Sequence, residues 1–396
     1  MTAKTYIPSL TGVRGLASIL IFFHHFNQQD FPPLLFRVLN EFHFPLSMFF
    51  VLSGFLICLR YYDTVELSGN WMRKYLKNRI ARVYPIYLIL TIAVFLYAWI
   101  ANDNSIYNGK NSPATLFIMN ITFLRGFFDD MKFTGIAQGW SLTVEECFYF
   151  SAPIFFLLIK RSRIYFLVAP LVVTGIGVLL VLIFRNVDFY GFFGSFKFLF
   201  ISTFLGRTVE FFSGMVLAMI IRKADDTVSN FSLFTWLGII GIGCTNLIMI
   251  NQPISKEVPF ALYQPIGIFT NNVILPVFIC MFFYGLIKEN SIPKKILGSK
   301  LGELIGKSSY ILYLIHLGFI SNLTSNWLHT TADSFYAWLD KNEYWWLSEH
   351  LNYTALVLFS HLFILTIISI ILYKFIEEPI NLYIRKSNFL EKKTAR

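Results

Sequence analysis

An arginine and two histidines interrupt the apolar segment PSLTGVRGLASILIFFHH at 8–25. If this segment is helical, Arg14 and His25 lie three turns plus about 20° apart, so both side chains project from one face, with roughly 16 Å between them along the axis. His24 projects about 80° away from that face. A neutral imidazole can accept a proton from an alcohol as the alcohol attacks a carbonyl, which makes His25 a candidate general base. The alternative is a structural histidine that hydrogen-bonds to a neighbouring helix.

A basic pair follows in YLKNRIARVYP at 75–85. Arg79 and Arg82 are three residues apart and therefore share one helical face. Two guanidinium groups in this arrangement can bind phosphates through bidentate contacts, with Tyr84 as a further candidate contact. The spacing by itself is also typical of basic residues that flank a membrane helix, and on spacing alone that interpretation is favoured.

Other ionisable residues enter apolar segments further along the chain. The sequence GWSLTVEECFYF at 139–150 places Trp140 and Ser141 before Glu145. A serine followed by an acidic residue often begins a helix, so capping explains Ser141 but not a carboxylate that enters an apolar helix. Ionisable groups in membrane helices usually face a bundle interior or a wet cavity, which makes Glu145 a functional candidate. Three further candidates each stand alone in an apolar segment: Glu210, His316 and His361.

The elements that must position these residues are membrane helices. Of the 396 residues, 56% are hydrophobic and 14% are charged, which is more apolar surface than a soluble domain can bury. Apolar stretches long enough to cross a hydrocarbon core of about 30 Å predict an all-α polytopic bundle of about ten transmembrane helices. A shorter stretch at 114–124 is expected to be re-entrant or interfacial. The predicted helices are 10–28, 44–61, 83–101, 144–159, 164–184, 207–222, 232–250, 268–287, 306–323 and 355–376.

The placement of the basic residues predicts the orientation of the bundle. The net charge is +10, and 23 of the 33 Lys and Arg residues fall in segments on the same side as the amino terminus. Cytoplasmic loops carry this excess, so both termini are expected in the cytoplasm and the charge does not imply a nucleic-acid partner. No linker or repeat divides the chain. We therefore expect one membrane domain at 1–385 and a short basic cytoplasmic tail at 386–396.

Taken in order, six segments resemble the acyltransferase family 3 membrane proteins, which include O-acetyltransferases of bacterial O-antigens and exopolysaccharides. The resemblance runs from residue 8 to residue 380. The segments are PSLTGVRGLASILIFFHH at 8–25, FFVLSGFLI at 49–57, RIAR at 79–82, WSLTVEE at 140–146, SYILYLIH at 309–316 and EEP at 377–379.

The resemblance implies an enzyme of the bacterial inner membrane that needs no metal. It would transfer an acyl group, usually acetyl, from cytoplasmic acetyl-CoA or another acyl-CoA to a hydroxyl of a surface glycan or lipid-linked glycan at the outer face. His25 is similar to the catalytic histidine of the family, with Arg14 as its partner and Glu145 as a further catalytic candidate. Arg79 and Arg82 are similar to the RxxR pair, which we assign with Tyr84 to the coenzyme. The expected acceptor contacts are Trp140, Ser141, His24 and His316.

Two mechanisms and two other functions remain as alternatives. A general base is favoured over an acyl-histidine because one-step transfer needs no stable intermediate. A secondary transporter could use intramembrane Arg, Glu and His residues to move a proton or an anion, but the two halves of this chain show no repeat of the kind that transporters often have. Within the enzyme interpretation, the acceptor could be a small molecule such as a macrolide, because relatives of similar length include antibiotic acyltransferases. The sequence does not identify the acceptor.

Overall fold

A computed structural model of the protein describes residues 6–225, 227–255 and 258–387, so the predicted tail lies outside the described residues from 388 onward. Many helices begin with proline or after a serine or threonine, because proline suits the first helical turn and a side-chain oxygen satisfies a backbone N–H group there. The α-helices are α1 (Pro8–His25), α2 (Pro33–Asn40), α3 (Pro45–Tyr61), α4 (Gly69–Ala101), α5 (Pro113–Ile121), α6 (Trp140–Arg161), α7 (Tyr165–Phe184), α8 (Phe196–Ser202), α9 (Phe204–Lys223), α10 (Leu233–Ile250), α11 (Pro265–Phe269), α12 (Leu275–Lys288), α13 (Ile292–Leu297), α14 (Lys300–Ile315), α15 (Phe319–Lys341), α16 (Trp345–His350), α17 (Tyr353–Leu372) and α18 (Glu378–Lys386). Short 3-10 and π-helical turns lie at Leu124–Phe127, Ala137–Gly139, Thr270–Ile274, Ala261–Tyr263 and Tyr373–Glu377.

In the described ranges, eight helices are long and apolar enough to cross a membrane, and a bent pair can supply a ninth. The chain is therefore an all-α, multi-pass membrane protein, as predicted. The bent pair replaces the continuous helix predicted at 306–323: α14 ends at Ile315, and α15 leaves at 91° to it. Gly318 has a φ of +92° at this break, a conformation that residues with side chains rarely adopt. The eight spanning helices are α2 with α3, α4, α6 with the turn before it, α7, α8 with α9, α10, α11 with α12, and α17 with α18.

The helix predicted at 10–28 is α1, and it is not one of these eight. Arg14, His24 and His25 keep the mean hydropathy of its 18 residues below that of the eight spanning helices. α1 packs between α3 and α14 in the centre of the bundle. Arg14 and His24 are therefore partly buried against protein instead of facing lipid, whereas His25 is exposed at the end of the helix.

The structure also changes the predicted bounds of two other elements. α4 begins at Gly69 instead of near residue 83, since Ser68 accepts a hydrogen bond from the Trp71 N–H and the basic segment continues the helix. The stretch predicted to be re-entrant or interfacial forms the nine-residue helix α5, which is too short to cross a membrane.

Glycines let the central helices approach each other closely. A methyl group added to Gly54 on α3 would overlap the Phe211 carbonyl of α9, and one added to Gly306 on α14 would overlap the Thr11 carbonyl of α1. Small residues at helix crossings are typical of membrane bundles, where lipid gives no hydrophobic force that brings helices together. α1, α3, α9 and α14 therefore form the tightly packed centre that carries the site.

Candidate active site

A cavity of about 360 Å³ opens in the centre of the bundle. It follows α3 from Leu46 in the first turn to Arg60 in the last turn, which is about 21 Å along the helix axis. We call the end marked by Arg60 and Arg385 the basic end. The opposite end, marked by Ser141 and Tyr313, is called the histidine end because two histidines lie just beyond it.

The cavity has the charge of an anion-binding site. Among the described residues, six cations and one carboxylate, that of Glu145, line it. No group of three or more His, Cys, Asp or Glu residues in the described ranges is arranged to hold a metal ion. Guanidinium and ammonium groups bind phosphates, so the lining fits a phosphorylated ligand. The six cations are Arg14, Arg60, Arg79, Arg82, Lys307 and Arg385.

Only some of these cations have a carboxylate partner in the protein. Arg82 lies 3.6 Å from a carboxylate oxygen of Glu377, and Lys307 lies 2.6 Å from one of Glu303. For the other four, no carboxylate of the described residues lies within 4.0 Å: Arg14, Arg60, Arg79 and Arg385.

The predicted phosphate-binding pair lines the cavity, but the third residue assigned with it does not. Arg79 donates to the Tyr61 hydroxyl at 3.2 Å, and its guanidinium lies 5.4 Å and 5.6 Å from the ring centroids of Tyr61 and Tyr149. These contacts hold the guanidinium at the wall. Tyr84 faces away, with its ring centroid 6.1 Å from that of Phe123.

Glu145 is held inside the cavity by two hydroxyl groups. Ser53 donates to Glu145 Oε1, and the Tyr149 hydroxyl donates to the same oxygen at 2.5 Å. An ionised carboxylate only accepts hydrogen bonds, so these two donors fix its position. Glu145 and Arg14, which the sequence predicted as catalytic partners of His25, therefore lie in the wall of one cavity.

A chain of contacts connects the cavity wall to His25 at the histidine end. The hydroxyl groups of Ser141 and Tyr313 lie 2.8 Å apart. The Tyr313 carbonyl oxygen is 2.8 Å from His316 Nδ1, and His316 Nε2 is 3.1 Å from His25 Nδ1. The rings of Tyr313 and His316 are also in contact, with centroids 5.8 Å apart. Tyr313 lines the cavity and the two histidines do not, so the Tyr313 ring lies between the cavity and the histidines.

Two of the four predicted acceptor contacts lie outside this chain. His24 Nδ1 is 3.3 Å from the Leu39 carbonyl oxygen, and its ring packs against Phe260. Trp140 packs partly buried against the hydrophobic core. Neither side chain lines the cavity, whereas Ser141 lines it and His316 contacts its wall.

The two weaker candidates of the sequence have partners of their own. Glu210 forms hydrogen bonds of 2.7 Å and 2.6 Å with Arg207, and both side chains are at most 2% exposed. His361 Nε2 lies 3.2 Å from the Ser321 hydroxyl. Neither candidate lines the cavity: the Glu210 contacts stay within α9, and the His361 contact joins α17 to α15.

Several site residues were not found from the sequence, although signals for some of them existed. Tyr313 is three residues before His316 and therefore on the same helical face. Ser53 lies inside the segment at 49–57 that carries the family resemblance. Arg385 gave no signal, because it comes to the cavity only through the packing of α18 on α4.

Comparison with known proteins identifies the family. Residues 7–376 match the model of the acyltransferase domain of acyltransferase family 3. The match covers most of the chain, so the chain belongs to acyltransferase family 3 and is a multi-pass membrane acyltransferase. This result confirms the family that the six motifs predicted, and it favours an enzyme over a transporter.

Individual curated relatives match a smaller part of this chain than the family model does. A presumed O-acetyltransferase of Staphylococcus aureus (strain COL) is 26% identical over 199 residues, which are 46% of this chain and 31% of that protein. The acyltransferase MdmB of Streptomyces mycarofaciens is 25% identical over 169 residues, covering 39% of this chain and 40% of MdmB. The O-acetyltransferase OatA of Staphylococcus aureus (strain NCTC 8325 / PS 47) is 27% identical over 163 residues, covering 39% and 25%. The chain thus spans less than half the length of these relatives, and no solved structure matches it significantly.

Proposed function

We propose that the protein transfers an acetyl group from acetyl-CoA, bound from the cytoplasm, to a hydroxyl of a surface glycan at the outer face of a bacterial inner membrane. The observation that carries this proposal is the cavity, which runs from a group of cations at the basic end to within one ring of His25 and His316. Acetyl-CoA has phosphates at one end and a thioester at the other. A bound acetyl-CoA can therefore have its charge at one end of the cavity and its acyl group at the other.

The basic end is assigned to the coenzyme phosphates. Arg79 and Arg82 line the cavity there, and Arg60 and Arg385 add two exposed guanidinium groups at its mouth. Guanidinium groups favour phosphate because they form two parallel charge-assisted hydrogen bonds with it. Arg14 and Glu145 lie further in, where they can contact the thioester end of the donor.

The basic end is also assigned to the cytoplasm. The excess of Lys and Arg in the segments on this side supports that orientation. Tyr6 and Arg385, which are close to the first and last described residues, both line the cavity. Both termini then lie in the cytoplasm, and His25, at the other end of α1, lies towards the outer face.

His25 is assigned the role of general base in a one-step transfer. The acceptor oxygen forms a bond to the acyl carbon while the bond between that carbon and the coenzyme sulfur breaks. The hydroxyl proton passes to His25 and then to the coenzyme thiolate, so the reaction releases no net proton. General-base catalysis of this kind contributes about 10²- to 10⁴-fold in rate.

Substitution of His25 tests both the proposed transfer reaction and the role of His25 as its general base. His25→Ala is expected to lower acetyl transfer by at least about 100-fold, while the amount of folded protein in the membrane stays the same. His350→Ala is the matched control, because His350 is exposed on α16 and its hydrogen bond and ring contact in the described part of the chain are both with Trp346. Undiminished transfer in His25→Ala contradicts the assigned role.

The acceptor is tested separately. Relatives named as O-acetyltransferases support a hydroxyl acceptor. Mass analysis of surface glycans, free and lipid-linked, from cells with and without the gene should show one acetyl mass fewer per modified unit when the gene is absent. Unchanged glycans together with acetylation of an added small molecule, such as a macrolide, support the small-molecule alternative.

A further inference from the structure

We propose that His316 is a positioning residue that fixes the tautomer of His25 and shares the charge that His25 gains, instead of contacting the acceptor. This inference rests on the function proposed for His25. Its first support is accessibility, since His316 is 1% exposed whereas His25 is exposed at the end of α1. An acceptor that approaches from outside the bundle can reach His25, but His316 lies behind it.

The contacts of His316 define which of its nitrogens carries hydrogen. Nδ1 lies 2.8 Å from the Tyr313 carbonyl oxygen, and because a carbonyl oxygen can only accept, Nδ1 must donate. In the neutral ring, Nε2 is then the nitrogen with a lone pair. This lone pair faces His25, whose Nδ1 is 3.1 Å away.

Gln138 supports the same tautomer. Its amide lies 3.4 Å from His316 Nδ1, and its buried oxygen Oε1 has no hydrogen-bond partner among the described residues. The oxygen and nitrogen of an amide are nearly the same in shape, so a 180° rotation of the amide is sterically neutral. This rotation brings Oε1 to the N–H group of His316 Nδ1 and gives it a donor.

The same argument fixes the tautomer of His25. Its Nδ1 lies 3.0 Å from the Ile21 carbonyl oxygen and 3.1 Å from the lone pair nitrogen of His316. Both neighbours are acceptors, so Nδ1 carries the hydrogen and Nε2 does not. Nε2 is therefore the atom that can take the proton of an acceptor hydroxyl.

His316 then acts when His25 is charged. Once Nε2 has taken up the proton, the ring is a cation, and the hydrogen bonds from Nδ1 to Ile21 and His316 become charge-assisted and stronger. His316 thus has the orienting role that a carboxylate has in a Ser-His-Asp triad, but as a neutral acceptor. When the coenzyme thiolate takes the proton from Nε2, both rings are neutral again.

Two substitutions of similar size test this role. In His316→Gln the amide oxygen can reach the position of Nε2 and accept from His25, whereas in His316→Asn it reaches only the position of Nδ1. We expect the Gln variant to stay within about threefold of wild-type kcat and the Asn variant to lose about 10- to 100-fold, with KM unchanged for both substrates. Equal losses in the two variants, or a raised KM for the acceptor with kcat retained, overturn the proposal.

A second measurement decides the proposal without any enzymatic reaction. The ¹⁵N NMR spectrum of protein labelled at its seven histidines shows which ring nitrogen of each is protonated. The signals of His25 and His316 are identified by their loss in His25→Ala and His316→Gln. Nδ1–H on both rings supports the proposal, and Nε2–H on His25 overturns it. If the wild type transfers no acetyl group to any acceptor, the proposed function fails, but this spectrum still tests the positioning role.

Discussion

Two groups of charged residues inside this bundle differ in how they are paired. Arg207 and Glu210 on α9 form two hydrogen bonds with each other, and Arg207 also donates to the Ser47 hydroxyl and the Ile201 carbonyl. All of these partners belong to the protein. The cavity, by contrast, is lined by four arginines for which the described residues offer no carboxylate within 4.0 Å: Arg14, Arg60, Arg79 and Arg385.

We interpret this difference as one between residues that hold the fold and residues that contact the proposed donor. Removing a charge from water is unfavourable unless a partner compensates it, so a fully satisfied pair can be buried between helices. Unpaired cations along a cavity keep water or an anion as their partner. We therefore expect substitutions in the Arg207–Glu210 pair to change stability and substitutions in the cavity to change the reaction.

The largest effect is expected from breaking the buried pair. Glu210→Ala leaves the Arg207 guanidinium without its partner, which typically destabilises a protein by about 3–5 kcal/mol. The midpoint of thermal unfolding in detergent should fall strongly. The double substitution Arg207→Met with Glu210→Leu removes both charges and should recover most of the loss. An unchanged midpoint in Glu210→Ala contradicts the structural role of the pair.

A smaller effect, on activity instead of stability, is expected from Arg14→Gln. No carboxylate of the described residues is left unpaired by this change, so the unfolding midpoint should stay at the wild-type value. Hydrogen bonds to a charged group contribute about 1.5–3 kcal/mol, so acetyl transfer should fall by about 10- to 100-fold. A loss of stability as large as that of Glu210→Ala, with activity retained, means that Arg14 belongs with the structural pair.

The smallest effect is expected at the mouth of the cavity. Arg60 and Arg385 are exposed, so salt and water screen their attraction for a phosphate. Arg60→Gln and Arg385→Gln should each raise KM for acetyl-CoA by about three- to tenfold at low salt and leave kcat unchanged. Lys110→Gln is the control, because Lys110 pairs with Asp130 away from the cavity. The same rise in KM in all three variants shows that the effect comes from overall charge.

Local sequence patterns predicted the spanning helices well, since helix formation depends on residues within about four positions of each other. They also predicted the shared face of Arg14 and His25. Long-range packing decided the rest. α1 could not be recognised as a central helix from its own residues, because its burial depends on the close approach of α14 at Gly306. The break at Gly318 was missed because the apolar stretch continues through it.

The sequence alone predicted a membrane acyltransferase of about ten transmembrane helices, of which the described residues show eight or nine, and it singled out His25, Arg14 and the arginine pair as candidates. The tertiary structure decided which of the candidates meet. His25 and His316 are 291 residues apart in the chain, and their rings come together only because α1 and α14 pack at glycines. Composition and periodicity report what a segment forms by itself, whereas a contact between distant segments depends on the shape of every helix packed between them.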